Sequence, residues 1–167
     1  MRPRIARIAG LSGVAAMCLA AALAAPVAAN SQVRFTIDDT VQVTHSCGIV
    51  ESTHIYGRGT ASFDGDGTWI GDSIHFTYTG TFTEPATGQT ITQVDHQNVS
   101  VAAGLVTLRG QGTFLRLGGE GVLLHDVGRL VLDPSDGSTV SATPKVITFD
   151  DPDGAAKVEA AICSMFE

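Results

Sequence analysis

Basic residues are scarce in this chain: 10 lysines and arginines stand against 17 aspartates and glutamates, a formal net charge of −7. Three of the ten, Arg2, Arg4 and Arg7, crowd the first seven positions, so beyond residue 29 only 7 basic side chains face the same 17 acids, a net charge of −10. So acidic a chain lacks the footprint of a nucleic-acid binder or of a protein drawn to anionic membranes. Motifs are lacking too. There is no G-x-x-x-x-G-K-[ST] phosphate loop and no G-x-S-x-G nucleophile elbow. The five histidines, at 45, 54, 75, 96 and 125, never fall at H-x-H or H-x-x-x-H spacing, so a zinc site would need separate strands to assemble it. No cofactor signature appears. Past residue 29 no apolar run is long enough to span a membrane.

The one long apolar run lies at the start. Ile8 to Leu23 follows the basic cluster, and Val27 and Ala29 supply the small-residue pattern of a cleavage site. Residues 1–29 therefore read as a secretory signal peptide, cut between Ala29 and Asn30, leaving 30–167 as a single secreted β domain. Cys18 raises lipidation as the alternative, but Met17 stands where a lipobox needs a small residue. The localisation expected is secreted or extracellular, with cell-envelope association open. Two cysteines remain, Cys47 and Cys163, and in an oxidising compartment they are expected to form one disulfide between the two ends of the domain. The rival is a catalytic Cys47 thiol activated by His45, two residues away.

Turn signals recur at short intervals: Asp64-Gly65-Asp66-Gly67, Glu84-Pro85-Ala86-Thr87-Gly88, Ala103-Gly104, Gly118-Gly119-Glu120-Gly121, Asp133-Pro134-Ser135-Asp136-Gly137 and Asp151-Pro152-Asp153-Gly154. Between them lie runs rich in Val, Ile, Thr and Phe. In Ser73–Thr83, Ile74, Phe76, Tyr78 and Phe82 share one parity, and His75, Thr77, Thr79, Thr81 and Thr83 the other, which is a strand with one apolar face. Val33, Phe35, Ile37, Val41 and Val43 alternate likewise, with Asp38-Asp39 marking a bulge or bend. Thr90–Val101 sets Gln93, Asp95 and Gln97 on the parity of Ile91 and Val99 and reads as a solvated or edge strand. Leu105–Leu117 and Ser138–Phe149 are further strands, and Gly110-Gln111-Gly112 a strand kink. Only Ala155–Met165 is helical, with Val158, Ala161, Ile162 and Met165 on one stripe. The expected fold is an all-β antiparallel barrel of about eight strands with a short C-terminal helix, a two-sheet sandwich being the alternative.

The candidate chemistry is thin. His125-Asp126 stands between two apolar runs, with Arg129 three residues on. On a continuous strand these neighbours point to opposite faces and cannot bond each other. Asp126 would share a face with Val122, Leu124 and Leu130, where a carboxylate needs hydrogen bonds. Asp126 with Gly128 also suits a turn or bulge. Asp64–Thr68 begins like a calcium loop, but Trp69 and His75 stand where its glycine and glutamate belong. Asp150, Asp151 and Asp153 read as a solvated acidic loop. Asn98-Val99-Ser100 is a formal glycosylation sequon.

Taken together, "HSCG" (His45–Gly48), "EPATGQT" (Glu84–Thr90), "GQGTF" (Gly110–Phe114), "DVGRLVLD" (Asp126–Asp133) and "AAIC" (Ala160–Cys163) behind a signal peptide resemble small secreted proteins of actinomycetes that have no established function. The resemblance implies an exported β domain with a disulfide and carries over no catalytic residue. The expected function is non-catalytic binding outside the cell or a cell-envelope role, with a small apolar ligand inside the barrel or an extracellular protein as partner. The alternative is a hydrolase or isomerase using Asp126 or His125 with a cross-strand partner.

Overall fold

In the computed structural model the described residues are 31–117, 121–143 and 153–167, without the side chains at 111–114 and 126. The proposed leader, Cys18, the Gly118–Glu120 part of one turn, Asp150, Asp151 and the later part of the expected Ser138–Phe149 strand lie outside them. Seven strands follow one another: β1 (Gln32–Thr44), β2 (Val50–Phe63), β3 (Trp69–Thr83), β4 (Thr90–Ala102), β5 (Leu105–Leu117), β6 (Gly121–Leu132) and β7 (Thr139–Thr143). Each pairs antiparallel with the next in a single sheet of order β1 to β7. One helix, α1 (Gly154–Ser164), ends the chain.

The turns carry this meander. Asp64 Oδ1 accepts the Asp66 and Thr68 amides, so the calcium-like stretch is a carboxylate-capped hairpin. Ala103 and Gly104 both take positive φ, 50° and 74°, which is what a two-residue hairpin of the twisted type demands. The Glu84–Gln89 and Asp133–Ser138 turns close by backbone bonds between their end residues.

The sheet is open, which corrects the expected eight-stranded barrel; a single sheet likewise replaces the sandwich. Among the described residues, β7 spans five residues and pairs only with β6, while β1 pairs only with β2. Alternation reports which face of a strand is apolar; it carries no information on the stagger that closure requires. Curvature does much of what closure would. Ile74, Phe76, Val99, Leu108, Leu130 and Leu132 form one buried cluster, and it touches Phe35 and Ile37 of β1 as well as Ala142 of β7, so both edges curl toward one core. A second cluster, Ile49, Phe82, Leu115, Leu124, Ile162 and Met165, lies at the other end under α1. Val158 and Ala161 pack on it beside Ile162 and Met165, the stripe read from the sequence.

Two strand readings change. The β1–β2 register runs unbroken through Asp38↔Tyr56 and Asp39↔Ile55, so no bulge lies there. Beyond Asp39, Val41 and Val43 are exposed despite their apolar parity. β4 is the central strand, not an edge: β3 pairs along all of it. β5, however, pairs only with Gln97–Ala102, and the ladder stops at Gln97↔Gly110. Gly110 has φ +111°, and the β5–β6 register shifts just beyond, between Gln111 and Thr113. The expected kink is therefore where β4 and β5 part. Gln93 Nε2 donates across the gap to the Arg116 carbonyl.

Gly57 is tightly packed. A Cβ there would lie 2.7 Å from the ring of Phe76, which is wholly buried. Gly57→Ala is expected to cost about 1–3 kcal/mol in urea unfolding by overpacking. Gly65→Ala, in a turn with nothing within 4 Å of the added carbon, should stay within about 0.5 kcal/mol of wild type.

Candidate functional site

Three groups of polar side chains stand out. The first surrounds the disulfide. Cys47, in the β1–β2 turn, is bonded to Cys163 of α1 (S–S 2.08 Å), so the Cys47 thiol nucleophile weighed from the sequence does not exist here. The bridge closes a span of 116 residues, for which the chain-entropy model gives about 4–5 kcal/mol of stabilisation. His45 reinforces it. Its Nδ1 lies 2.8 Å from Glu159 Oε2 on α1, and its Nε2 lies 3.0 Å from Glu51 Oε2 on β2. The Ser46 amide donates to the other Glu159 oxygen, and the Thr53 hydroxyl to Glu51. The His45 hydrogen bond, helped by the Ser46 amide and opposed by partial burial, holds the Glu159 carboxyl down to about 2 from its ordinary 4.5. The Glu159 contacts with His45 and the Ser46 amide hold α1 to the sheet, which makes the group a clasp.

The second is Asp72 on β3. It is 5% exposed and accepts the Trp69 indole N–H at 2.8 Å on Oδ1, while Oδ2 is buried without a hydrogen-bond partner. Burial pushes its carboxyl up from the ordinary range, and the Trp69 bond pulls it back in part. A shallow depression of about 450 Å³ lies alongside, lined by Gln32, Thr60, Ser62, Ile70, Asp72 and Val101 among others. Asp72 shares the parity of Ile74 and Phe76; a carboxylate on an apolar parity was the sequence signal for it. Tyr78, on the same face, is pushed up to about 12 by burial.

The third lies on the opposite, outward face of β2, β3 and β4. Tyr56, Thr77 and His96 stand side by side in register, and so do Arg58, His75 and Asn98. His75 Nδ1 donates to Asn98 Oδ1 at 3.0 Å, and the Thr77 hydroxyl pairs with His96 Nδ1 at 3.2 Å. The two imidazoles stack with centroids 5.9 Å apart and planes at 12°. Arg58 Nε donates to the Tyr56 hydroxyl at 2.9 Å, its guanidinium 5.4 Å from that ring's centre. These side chains stand on rigid ladder strands and keep donors and acceptors in solvent. His75 lies on the polar parity read from the sequence; its stacking on His96 across β3 and β4 was hidden because it depends on register.

The weak catalytic candidates are dispersed. His125 is exposed and pairs in register with Phe114. Asp126 pairs with Thr113 beside the register shift, and its side chain is outside the description. Arg129 is exposed and pairs with Arg109 and Thr143. β6 runs unbroken from Gly121 to Leu132, so the hairpin considered at Asp126–Gly128 is absent and the irregularity belongs to the facing strand. Among the described residues no three His, Cys, Asp or Glu side chains converge as metal ligands, and no helix is long and apolar enough to cross a membrane. Compared with known proteins, the chain matches no family model, no curated protein and no solved structure.

The clasp and the buried carboxylate respond to pH with opposite signs. A depressed carboxyl stabilises the fold above its unfolded value and loses that contribution as pH falls through the folded one. The clasp contribution of Glu159 is therefore full above about 5 and lost between about 4.5 and 2. Urea midpoints of wild type and Glu159→Gln should differ at neutral pH and converge near pH 2; a constant gap would refute the clasp. A raised carboxyl works the other way, its contribution being full below 3.8 and lost as pH climbs through the raised value. Asp72→Asn, which keeps the Trp69 acceptor, is expected to match or exceed wild type at pH 7. Asp72→Ala should fall about 1 kcal/mol below it through the orphaned indole N–H.

Proposed function

We propose that this protein is an exported, non-catalytic β domain that binds an extracellular or cell-envelope ligand on the outward face of its sheet. The observation that carries this reading is the array on β2–β4. Arg58, Tyr56, His75, Thr77, His96 and Asn98 are held by one another in fixed orientations on backbone ladders, the preorganisation a recognition surface needs. The inward face is given over to two apolar clusters, and the open sheet removes the premise of a small apolar ligand enclosed by a barrel. Export is supported by the leader-like first 29 residues, by a disulfide of the kind that persists in oxidising compartments, and by the resemblance to small secreted proteins.

The hydrolase or isomerase reading rested on Asp126 and His125. Of the two side chains, only His125 is described, and it lies exposed on the sheet. Co-sedimentation of the disulfide-intact protein with purified peptidoglycan sacculi separates the readings. Retention is expected for wild type and His125→Ala, with a several-fold loss for Tyr56→Ala/His75→Ala/His96→Ala. Wild-type protein left in the supernatant, or retention indifferent to the triple substitution, overturns the assignment of the outward face.

A further inference from the structure

The arginines of a net-acidic chain are not scattered. Register places Thr36, Arg58, His75, Asn98, Arg109, Arg129 and Thr143 opposite one another, strand by strand, in one transverse row that crosses all seven strands. Every member is exposed. Three of the five arginines beyond residue 29 stand in this row, with Arg34 two residues along β1 from it. Adjacent strands lie about 4.8 Å apart, so Arg58 to Arg129, four strands apart, spans on the order of 19 Å at the backbone.

Two features make the row more than a solvated stripe. Arg109 and Arg129 are direct cross-strand partners, an arrangement that like charges disfavour. Among the described residues neither has an acidic partner. An anion seated between two neighbouring guanidinium groups turns that repulsion into charge-assisted hydrogen bonds. The described acidic side chains are also set apart. On the outward face near the row stands Asp38, which is paired with His54 at 2.8 Å. Asp64 and Asp133 sit in turns, six residues from Arg58 and four from Arg129. At about 3.4 Å per residue that is roughly 13 Å or more, beyond the screening length of about 8 Å at physiological salt. Among the described side chains the row is therefore locally cationic despite the chain's net negative charge.

We propose that this row is a binding site for a linear acidic glycan lying across the strands, with Arg109 and Arg129 gripping one anionic group and Arg58 another. The proposal rests on the outward face being the recognition surface. The polar members favour a sugar chain over other polyanions: Asn98, Thr36 and Thr143, with Tyr56 and Thr77 in the next row, offer hydrogen bonds suited to hydroxyls. A nucleic acid would call for a run of stacking aromatics and a dense lysine complement, whereas the row holds no lysine and His75, stacked on His96, is its one ring.

The test is affinity electrophoresis of the disulfide-intact protein in gels holding polygalacturonate, dextran sulfate or neutral dextran. Wild type is expected to be retarded by an acidic glycan, less so at 0.5 M salt, and not by neutral dextran. Arg109→Ala/Arg129→Ala should weaken that retardation at least tenfold, while Arg116→Ala, exposed but off the row, should change it less than twofold. The double variant should keep or raise the urea midpoint, since it relieves a like-charge pair, so loss of binding is separable from loss of fold. Wild-type retardation in the double variant, or equal binding to duplex DNA or anionic vesicles, overturns the proposal. Retardation by neutral dextran that depends on Tyr56 and His96 also overturns it while sparing the wider reading. No retardation in any gel, with no binding to sacculi, removes both.

Discussion

Covering one end of an open, curled sheet is the constraint on which the rest of the molecule depends. The cluster of Ile49, Phe82, Leu115 and Leu124 would face solvent without Ile162 and Met165 of the terminal helix. An eleven-residue helix is too short to persist in water by itself. It is fastened twice at the same place, by the Cys47–Cys163 bond and by Glu159 on His45 and the Ser46 amide. The covalent bond limits how far the helix can stray, and the hydrogen-bonded imidazole fixes how it sits. Where His45 and Cys47 stand two residues apart, a nucleophile and its base were one reading; packing uses both for anchorage.

Charge is sorted by position in this fold. Carboxylates fill the turns, where Asp64 and Asp133 accept local backbone amides, and Asp72 is buried against an indole. Arg58, Arg109 and Arg129 sit within strands on the outward face. Side-chain chemistry explains part of this, since aspartate competes for turn amides and arginine does not. It does not explain why Arg109 faces Arg129. Stability alone would separate them, so the pairing is the feature that most needs a functional cause.

Much of the architecture was legible from residues. Period-two alternation around Ile74, Phe76, Tyr78 and Phe82 identified the inward face, and Asp-Gly and Ala-Gly turns set the strand boundaries. The stripe of Val158, Ala161, Ile162 and Met165 marked the helix. What failed were inferences about neighbours. Polar Gln93, Asp95 and Gln97 marked Thr90–Val101 as solvated, yet it is the middle strand, its polar positions lying where the β5 ladder has already left it. Closure was misjudged because alternation is blind to stagger. The Arg58–Arg129 row and the His75–His96 stack were hidden for a related reason: each depends on which residue faces which across several turns, and one bulge, such as that between Ser62 and Phe63, shifts the answer by a position. Glu51 and Glu159 around His45 had no local signal at all.

The short β4–β5 ladder, Gln97–Ala102 on Leu105–Gly110, is a seam in the sheet, with four strands on one side and three strands plus the helix on the other. The chain crosses that seam once among its hairpins, at Ala103-Gly104, both exposed. The disulfide crosses it a second time, from the β1–β2 turn to the final helix. A protease that nicks the hairpin therefore produces two polypeptides but not two molecules: each fragment keeps a set of paired strands and stays tethered to the other through sulfur. Such a topology makes the loss of one peptide bond survivable.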